Sequence, residues 1–399
     1  MSEFKNLPSG WSRYELGEIC KISSSKFDPT KNSEVKKCIE LEHLSQKTGQ
    51  ILGFISSSEQ KSIKNEFKTG QILYGKLRPY LQKFCQAKFD GVCSSEIWVL
   101  QGKKVTNDFL FYLVQSDKFN QIANKTSGTK MPRADWEYMS EMPFFIPLEP
   151  EQEKIAEILS TWDEAINLTI NLIENKKQFK KALMQNLLTA KIRFPEFKDE
   201  WKEIKLGNLG KSYNGLIGKT AEDFQNGNSN FITYKNIFDN PKIDINIFEK
   251  VKIMEDEEQN LVKFGDIFFT ISSETPNEVG ISSVLLRECG ILYLNSFCFG
   301  FRLSNFEILT PCFAVFYFRS DCFRKQIFKL AQGSTRFNIS KTEVLNLTIK
   351  LPNFKEQQKI AEVLTACDDE INLLNLKLEN LKKQKQGLMQ KLLSGKVRI

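Results

Sequence analysis

"PLEPEQEKIAEILSTWDEAINL", residues 147–168, returns as "PNFKEQQKIAEVLTACDDEINL", residues 352–373, displaced by 205 positions with no gap. The same displacement carries "LMQNLLTAKIR" (183–193) onto "LMQKLLSGKVR" (388–398). Upstream, "GWSRYELGEI" (10–19) meets "EWKEIKLGNL" (200–209) at a displacement of 190. "FKTGQILY" (67–74) meets "VKFGDIFF" (262–269) at 195. The displacement grows from anchor to anchor, so the second copy carries insertions in its loops. Such self-similarity organises the chain as one unit written twice, a globular part of about 150 residues followed by a helix.

The opening stretch reads as that helix. From Glu356 on, apolar residues recur at alternating spacings of four and three: Ile360, Leu364, Cys367, Ile371, Leu374, Leu378, Leu381, Leu388 and Leu392. Lys385 interrupts this seam. The first copy offers Ile155, Leu159, Trp162, Ile166, Thr169, Ile173, Leu183 and Leu187, interrupted by Lys176 and Lys180. Pro150 stands at the entry, where its missing N–H costs nothing, and Pro195 lies beyond the exit. About 40 residues make a rod of roughly 60 Å, and two rods with matched seams are expected to pack as a coiled coil. Apolar residues also stand off the seam, at Ile158, Leu168 and Leu172, and at Val363, Leu373 and Leu376. One partner helix cannot cover so wide a face, so Ile158, Trp162, Leu172, Val363, Leu373 and Leu376 are candidate docking residues for helices of another protein. The resulting division is a globular domain over 1–147, a helix over 148–193, a second globular domain over 194–351 and a second helix over 352–399.

The globular parts read as strand-rich α/β. "SSEIWVLQ", "MPFFIPL", "FGDIFFTI" and "GILYLNSFCFGFRL" are short, aromatic and β-branched, and are bounded by Gly, Ser or Pro. Thirty-two phenylalanines supply cores for a chain of 399 residues, too long for one ordinary core. No apolar run approaches the roughly 20 residues of a membrane span, and "MSEFKNLPSG" has no apolar stretch of the kind a secretory signal needs. Nine cysteines without a Cys-x-x-Cys pair read as reduced thiols in a cytoplasm. His43 is the only histidine, which removes His-based dyads and His-rich metal sites. A net charge of +7 permits a polyanionic partner without demanding one.

One stretch invites a different reading. "LGKSYNGLIGKT" (209–220) ends in Gly218-Lys219-Thr220, the tail of a phosphate-binding loop, but the glycine required five positions earlier is Tyr213. Asp266 precedes an apolar run where the metal-holding acid of a nucleoside triphosphatase should follow one. The Asp-Pro-Pro-Tyr type of motif for amino-group methylation is absent, as is a glycine-rich loop for a methyl donor. The isolated Glu-Ile-Lys at 203–205 starts a repeat whose first copy does not keep it. The expectation is a protein without a catalytic constellation, metal or cofactor.

Polar loops stand at corresponding places in both copies. "LYGKLRPYLQK" (73–83) carries Lys76 and Arg78 just after a strand, and "NKTSGTKMPRADW" (124–136) carries Lys130 and Arg133 around a glycine turn. In the second copy, "TISSETPNEVG" (270–280) has Ser272 and Ser273 where Leu77 and Arg78 stood. "AQGSTRFNISK" (331–341) has Arg336 and Asn338 where Met131 and Arg133 stood. The scaffold positions match while the polar tips differ, as expected if two copies of one domain read different bases. Arginine and lysine suit guanine edges, asparagine suits adenine, and glycines allow close approach.

These residues together resemble the specificity subunit of type I restriction–modification systems. "LPSGWSRYELGEI", "TGQILYGKLRPYL", "PLEPEQEKIAEIL", "EWKEIKLGNL", "FITYKNIF", "GSTRFNIS" and "PNFKEQQKIAEVL" carry the resemblance along the whole chain. Where many members carry Pro-Pro or Pro-Leu, the two linkers here have Glu149-Pro150 and Phe354-Lys355. The resemblance implies two target recognition domains joined by long helices packed antiparallel. It further implies double-stranded DNA as ligand, and two methyltransferase subunits and motor–nuclease restriction subunits as partners. In its light "NGLIGKTAEDF" and "FITYKNI" look like a recognition-domain loop, so Lys219, Tyr234 and Lys235 join the candidate DNA contacts. The alternative is a coiled-coil adaptor that binds proteins only.

Overall fold

The computed structural model describes residues 8–125, 131–225 and 227–399. The chain forms two units, Met1–Asn171 with Leu376–Ile399, and Leu172–Asn375. Two long helices, Glu149–Leu187 and Phe354–Leu393, each give one half to either unit.

In the first unit a four-stranded sheet has the order Cys20–Ile22, Ile97–Gly102, Ile72–Gly75, Phe84–Gln86. A second sheet of five short strands runs from Lys26–Phe27 through Lys64–Phe67, Gly91–Cys93 and Lys37–Ile39 to Ile55–Ser56. The second unit repeats the four-stranded sheet as Gly210–Asn214, Cys298–Leu303, Ile267–Thr270, Ser282–Val284. Its other main sheet is smaller, with Glu249–Val251, Ser229–Ile232 and Leu292–Leu294. The strands are apolar on both faces, as the buried runs of Ile72–Gly75 and Ile267–Thr270 show. Such strands must be covered twice, which the second sheet and the short helices do. In the second unit Phe269, Phe299, Phe318 and Phe323 pack ring to ring at 4.7–6.2 Å, a core that aromatic enrichment foreshadows.

The repeated Glu-Gln pair fastens each helix to its domain. Buried Gln152 donates from its amide to the Pro147 carbonyl (3.0 Å) and accepts from Thr106 N–H (3.0 Å). Gln357 does the same with Pro352 (2.9 Å) and Thr310 (2.9 Å). Both threonines cap short helices, Asn107–Leu113 and Pro311–Tyr317. A buried amide satisfied on both sides fixes the angle at which a helix leaves its domain.

Within each unit the helix halves run antiparallel. In the first, Arg398 grips Glu151 (2.7 and 3.0 Å) and Lys385 meets Asp163 (2.6 Å). In the second, Arg193 grips Glu356 (2.9 and 2.8 Å), Lys176 meets Glu370 (2.7 Å) and Lys180 meets Asp368. The lysines that interrupt the apolar seam therefore have carboxylate partners on the facing helix. Polar positions of this kind select one register at some cost in stability.

Candidate nucleic-acid interface

In the first unit the strand Ile72–Gly75 runs into a turn, Pro79–Leu81, bracketed by two left-handed residues, Arg78 (φ 52°) and Gln82 (φ 49°). For side chains with a Cβ this conformation costs about 1–3 kcal/mol and persists only where the surroundings impose it. Here Arg78 N–H donates to the Pro132 carbonyl (2.7 Å), Ala134 N–H donates to that of Lys76 (2.8 Å), and Leu77 pairs with Arg133 in a β-bridge. The loop after the strand and the loop around residues 131–134 are thereby clasped together, and Arg78 is left with an exposed side chain beside half-buried Lys76. Arg133 is engaged: its Nε and Nη2 bind the Glu96 carboxylate (both 3.0 Å), which raises the pKa of Arg133. Lys130 lies outside the described residues.

The second unit makes the same clasp at the equivalent positions. Ser272 pairs with Asn338 and Ser273 with Phe337 in a two-stranded ribbon. Arg336 donates from Nη2 to the Ser272 hydroxyl (3.2 Å) and lies over the Phe297 ring at 5.7 Å. Tyr234 donates its hydroxyl to the Ser272 carbonyl (2.8 Å) and stacks on Phe238 (6.0 Å, 17°). These groups border a cleft of about 740 Å³, with Glu274 and Glu278 on its margin. Asn338 exchanges backbone bonds with Gln332 (2.8 and 2.9 Å) and keeps its side chain exposed. Lys235 is 86% exposed, 3.8 Å from Asp239 on its own helix.

Two arginines that sequence reasoning missed brace the walls of this cleft. Arg319 donates to the carbonyls of Ser282 (2.6 Å), Ile237 (2.7 Å), Phe238 (3.0 Å) and Asn240 (3.1 Å). Arg324 donates to those of Gly280 (2.6 Å), Val279 (2.7 Å) and Asn277 (2.8 Å). Burial pushes each guanidinium down to about 10. The first holds the helix that carries Tyr234; the second holds the loop that carries Glu278. Their equivalents in the first copy, Gln115 and Asn120, are uncharged, and an isolated arginine on a short helix or in the turn before it gives no sign of burial.

Lys219 stands apart. It is 6% exposed and ion-paired with Glu257, whose pKa it lowers. Gln259 pins the neighbouring Ile217 by accepting from its N–H (3.1 Å) and donating to its carbonyl (2.8 Å). Gly218 has φ +71° and opens to solvent. The "GLIGKT" segment is a loop closed by side chains, with its lysine turned onto a carboxylate.

The off-seam residues divide. Ile158 and Val363 pack against the cores of their own units, which lowers what they can offer a partner. Trp162 is half-buried, whereas Leu172, Leu373 and Leu376 are exposed, Leu373 at 66%. Leu168 is exposed as well. Among the described residues no helix is long and apolar enough to cross a membrane.

A family model, the type I restriction modification DNA specificity domain, matches residues 8–176 and again 198–383. The type I restriction enzyme MjaVIII specificity subunit of Methanocaldococcus jannaschii is 28% identical over 328 residues, 77% of this chain and 75% of that one. The putative MjaX specificity subunit of the same organism is 25% identical across all of this chain and 96% of its own. The fold is shared with the HsdS subunit from Thermoanaerobacter tengcongensis (TM-score 0.55, 21% identity, all of both chains). It is shared too with a chain from a structure on complex assembly and conformational transition of the type I R-M system (TM-score 0.67, 20% identity, 98% and 100% of the chains).

Proposed function

The chain belongs to the type I restriction–modification DNA specificity family, and from that membership we propose that each of its units reads one half of a bipartite, asymmetric DNA site. It is a DNA specificity subunit with two target recognition domains, not itself a catalyst. The observation that carries the half-site reading is the shared clasp with unlike tips. Leu77 bridges Arg133 in one unit and Ser272 bridges Asn338 in the other, yet the side chains presented around them differ. A common backbone frame with different donors and acceptors is what reading two base sequences requires. Arg78 and Lys76 serve the first half-site; Arg336, Asn338, Tyr234 and Lys235 serve the second. Lys130 is assigned with the first on sequence alone. Arg133 acts there by holding Glu96, or through a guanidinium that DNA draws off it.

In this reading the exposed Leu172, Leu373 and Leu376 receive helices of two methyltransferase subunits, and restriction subunits join for cleavage, in the cytoplasm. An adaptor for proteins alone is disfavoured because the family match spans both globular units as well as the helices.

Methylome sequencing of cells that carry the variant with its methyltransferase tests the assignment. Arg78→Ala should relax the first half of the motif and leave the second intact, and Arg336→Ala should do the reverse. A base-edge contact is worth about 1–3 kcal/mol of discrimination. Simultaneous loss of both halves in either variant would refute one unit per half-site.

A further inference from the structure

We propose that Glu274 and Arg336 together read a G·C base pair in the second half-site, Glu274 accepting from cytosine N4 while Arg336 donates to guanine. The inference rests on the assignment of that half-site to the second unit. The ribbon pairs Ser272 with Asn338 and Ser273 with Phe337; Glu274 follows it on one strand, Arg336 precedes it on the other, and both border the cleft. A carboxylate and a guanidinium so placed ordinarily form an ion pair across the ladder. Here they do not: Arg336 turns to the Ser272 hydroxyl and the Phe297 face, and among the described residues Glu274 has no hydrogen-bond or ionic partner. Both side chains border the same cleft and are exposed.

An unpaired carboxylate is a liability on a DNA-binding face, since the duplex carries one negative charge about every 1.7 Å. It is tolerable where a base supplies a donor. The major-groove edge of a G·C pair offers two acceptors, O6 and N7, beside one donor, N4–H₂. A guanidinium fork beside a free carboxylate is the complement of that edge. Glu278, also on the margin of the cleft, is already occupied by the Ser273 hydroxyl (3.0 Å), so it does not compete. Arg336 lies over the Phe297 ring and spends one N–H on the Ser272 hydroxyl, and its other N–H groups can supply the bidentate contact.

The test is the methylome of cells that express the full chain with its methyltransferase, as native protein, Glu274→Ala or Arg336→Ala. Glu274 is exposed, and intact reading of the first half-site reports a folded protein in every case. The proposal expects both variants to loosen the same G·C pair of the second half, with discrimination falling about 5- to 150-fold. It is overturned if Glu274→Ala keeps every position while Arg336→Ala relaxes the second half, an outcome that leaves the half-site assignment standing. Relaxation at an A·T pair by Glu274→Ala overturns the G·C reading. If neither variant touches the second half, the half-site assignment itself fails and this inference with it.

Discussion

The two units use one backbone plan and fill it with different chemistry. At the start of the central strand the first has Gln71, which donates to Gln101 at 3.0 Å, a neutral amide pair. The second has Asp266 there, fully buried, bound by Arg302 (2.8 and 2.6 Å), by the Tyr213 hydroxyl (2.6 Å) and by Lys263 N–H (2.8 Å). Just before these residues both units turn through a glycine, Gly70 (φ +85°) and Gly265 (φ +81°). Beside it the first unit clamps Thr69 to Asp90 with hydrogen bonds of 2.8 and 2.9 Å, while the second exposes Phe264 and Ile291 at the matching places. At the loop tips proposed to meet DNA the first presents Lys76 and Arg78, the second a guanidinium beside free and occupied carboxylates. What the repeat preserves is thus geometry: strand order, the glycine turn and the clasp. Polar partners were free to change, provided both members of a pair changed together, because a buried group left without its partner costs more than the pair gains.

The largest effect that would break this contrast concerns the polar pairs at the start of the central strands. Asp266→Ala strands Arg302 and the Tyr213 hydroxyl and should cost about 3–5 kcal/mol. Gln71→Ala removes two neutral bonds, one to Gln101 and one from Lys68 N–H, at a half-buried position and should cost about 1 kcal/mol. Denaturant unfolding of the full-length variants measures both, and equal losses would mean that the ion pair is no more structural than the amide pair.

A middle-sized effect separates a tip from a strut. Arg78→Ala should reduce the dependence of DNA affinity on log salt by about one unit. Lys219→Ala should leave that slope unchanged and cost about 1 kcal/mol of stability, since its ammonium is spent on Glu257. A fall in slope on removing Lys219 would return that residue to the DNA face.

The smallest effect is a titration. Thr69 N–H, then Lys68, hold the exposed Asp90 carboxyl down at about 2 against an ordinary 3.8. A depressed carboxyl contributes stability above its unfolded pKa, and that contribution is lost as pH falls through about 2. NMR titration of Asp90 should find that midpoint. A value near 3.8 would show that the polar clamp holds no better than the bare Phe264 and Ile291 of the second unit.

Much of this was legible before any coordinates. The 205-residue echo contained the two-unit plan, and the heptad seam named helix residues that are buried: Ile155, Leu159, Ile166 and Ile173 in one, Ile360, Leu364, Ile371 and Leu378 in the other. These features are local or periodic, and periodicity survives in one dimension. The clasp was half legible: equal spacing placed Leu77 and Ser272, Arg133 and Asn338, at corresponding sites, but could not show that each pair meets.

Pairing across long sequence separations was decided by tertiary structure alone. Lys219 and Arg133 look like free cations in a polar loop, and only the fold brings Glu257 to one and Glu96 to the other. The seam lysines looked like defects until the antiparallel register set Asp368, Glu370 and Asp163 opposite them. Arg319 and Arg324 look like surface charges until burial among backbone carbonyls makes them braces. Composition and spacing therefore determine which elements form and how often the plan repeats, because helices and strands answer to short-range pattern. Whether a given charge faces DNA, a carboxylate or a carbonyl is set by whatever the fold delivers within about 3 Å of it, and electrostatic energy at that range outweighs any preference the sequence can display.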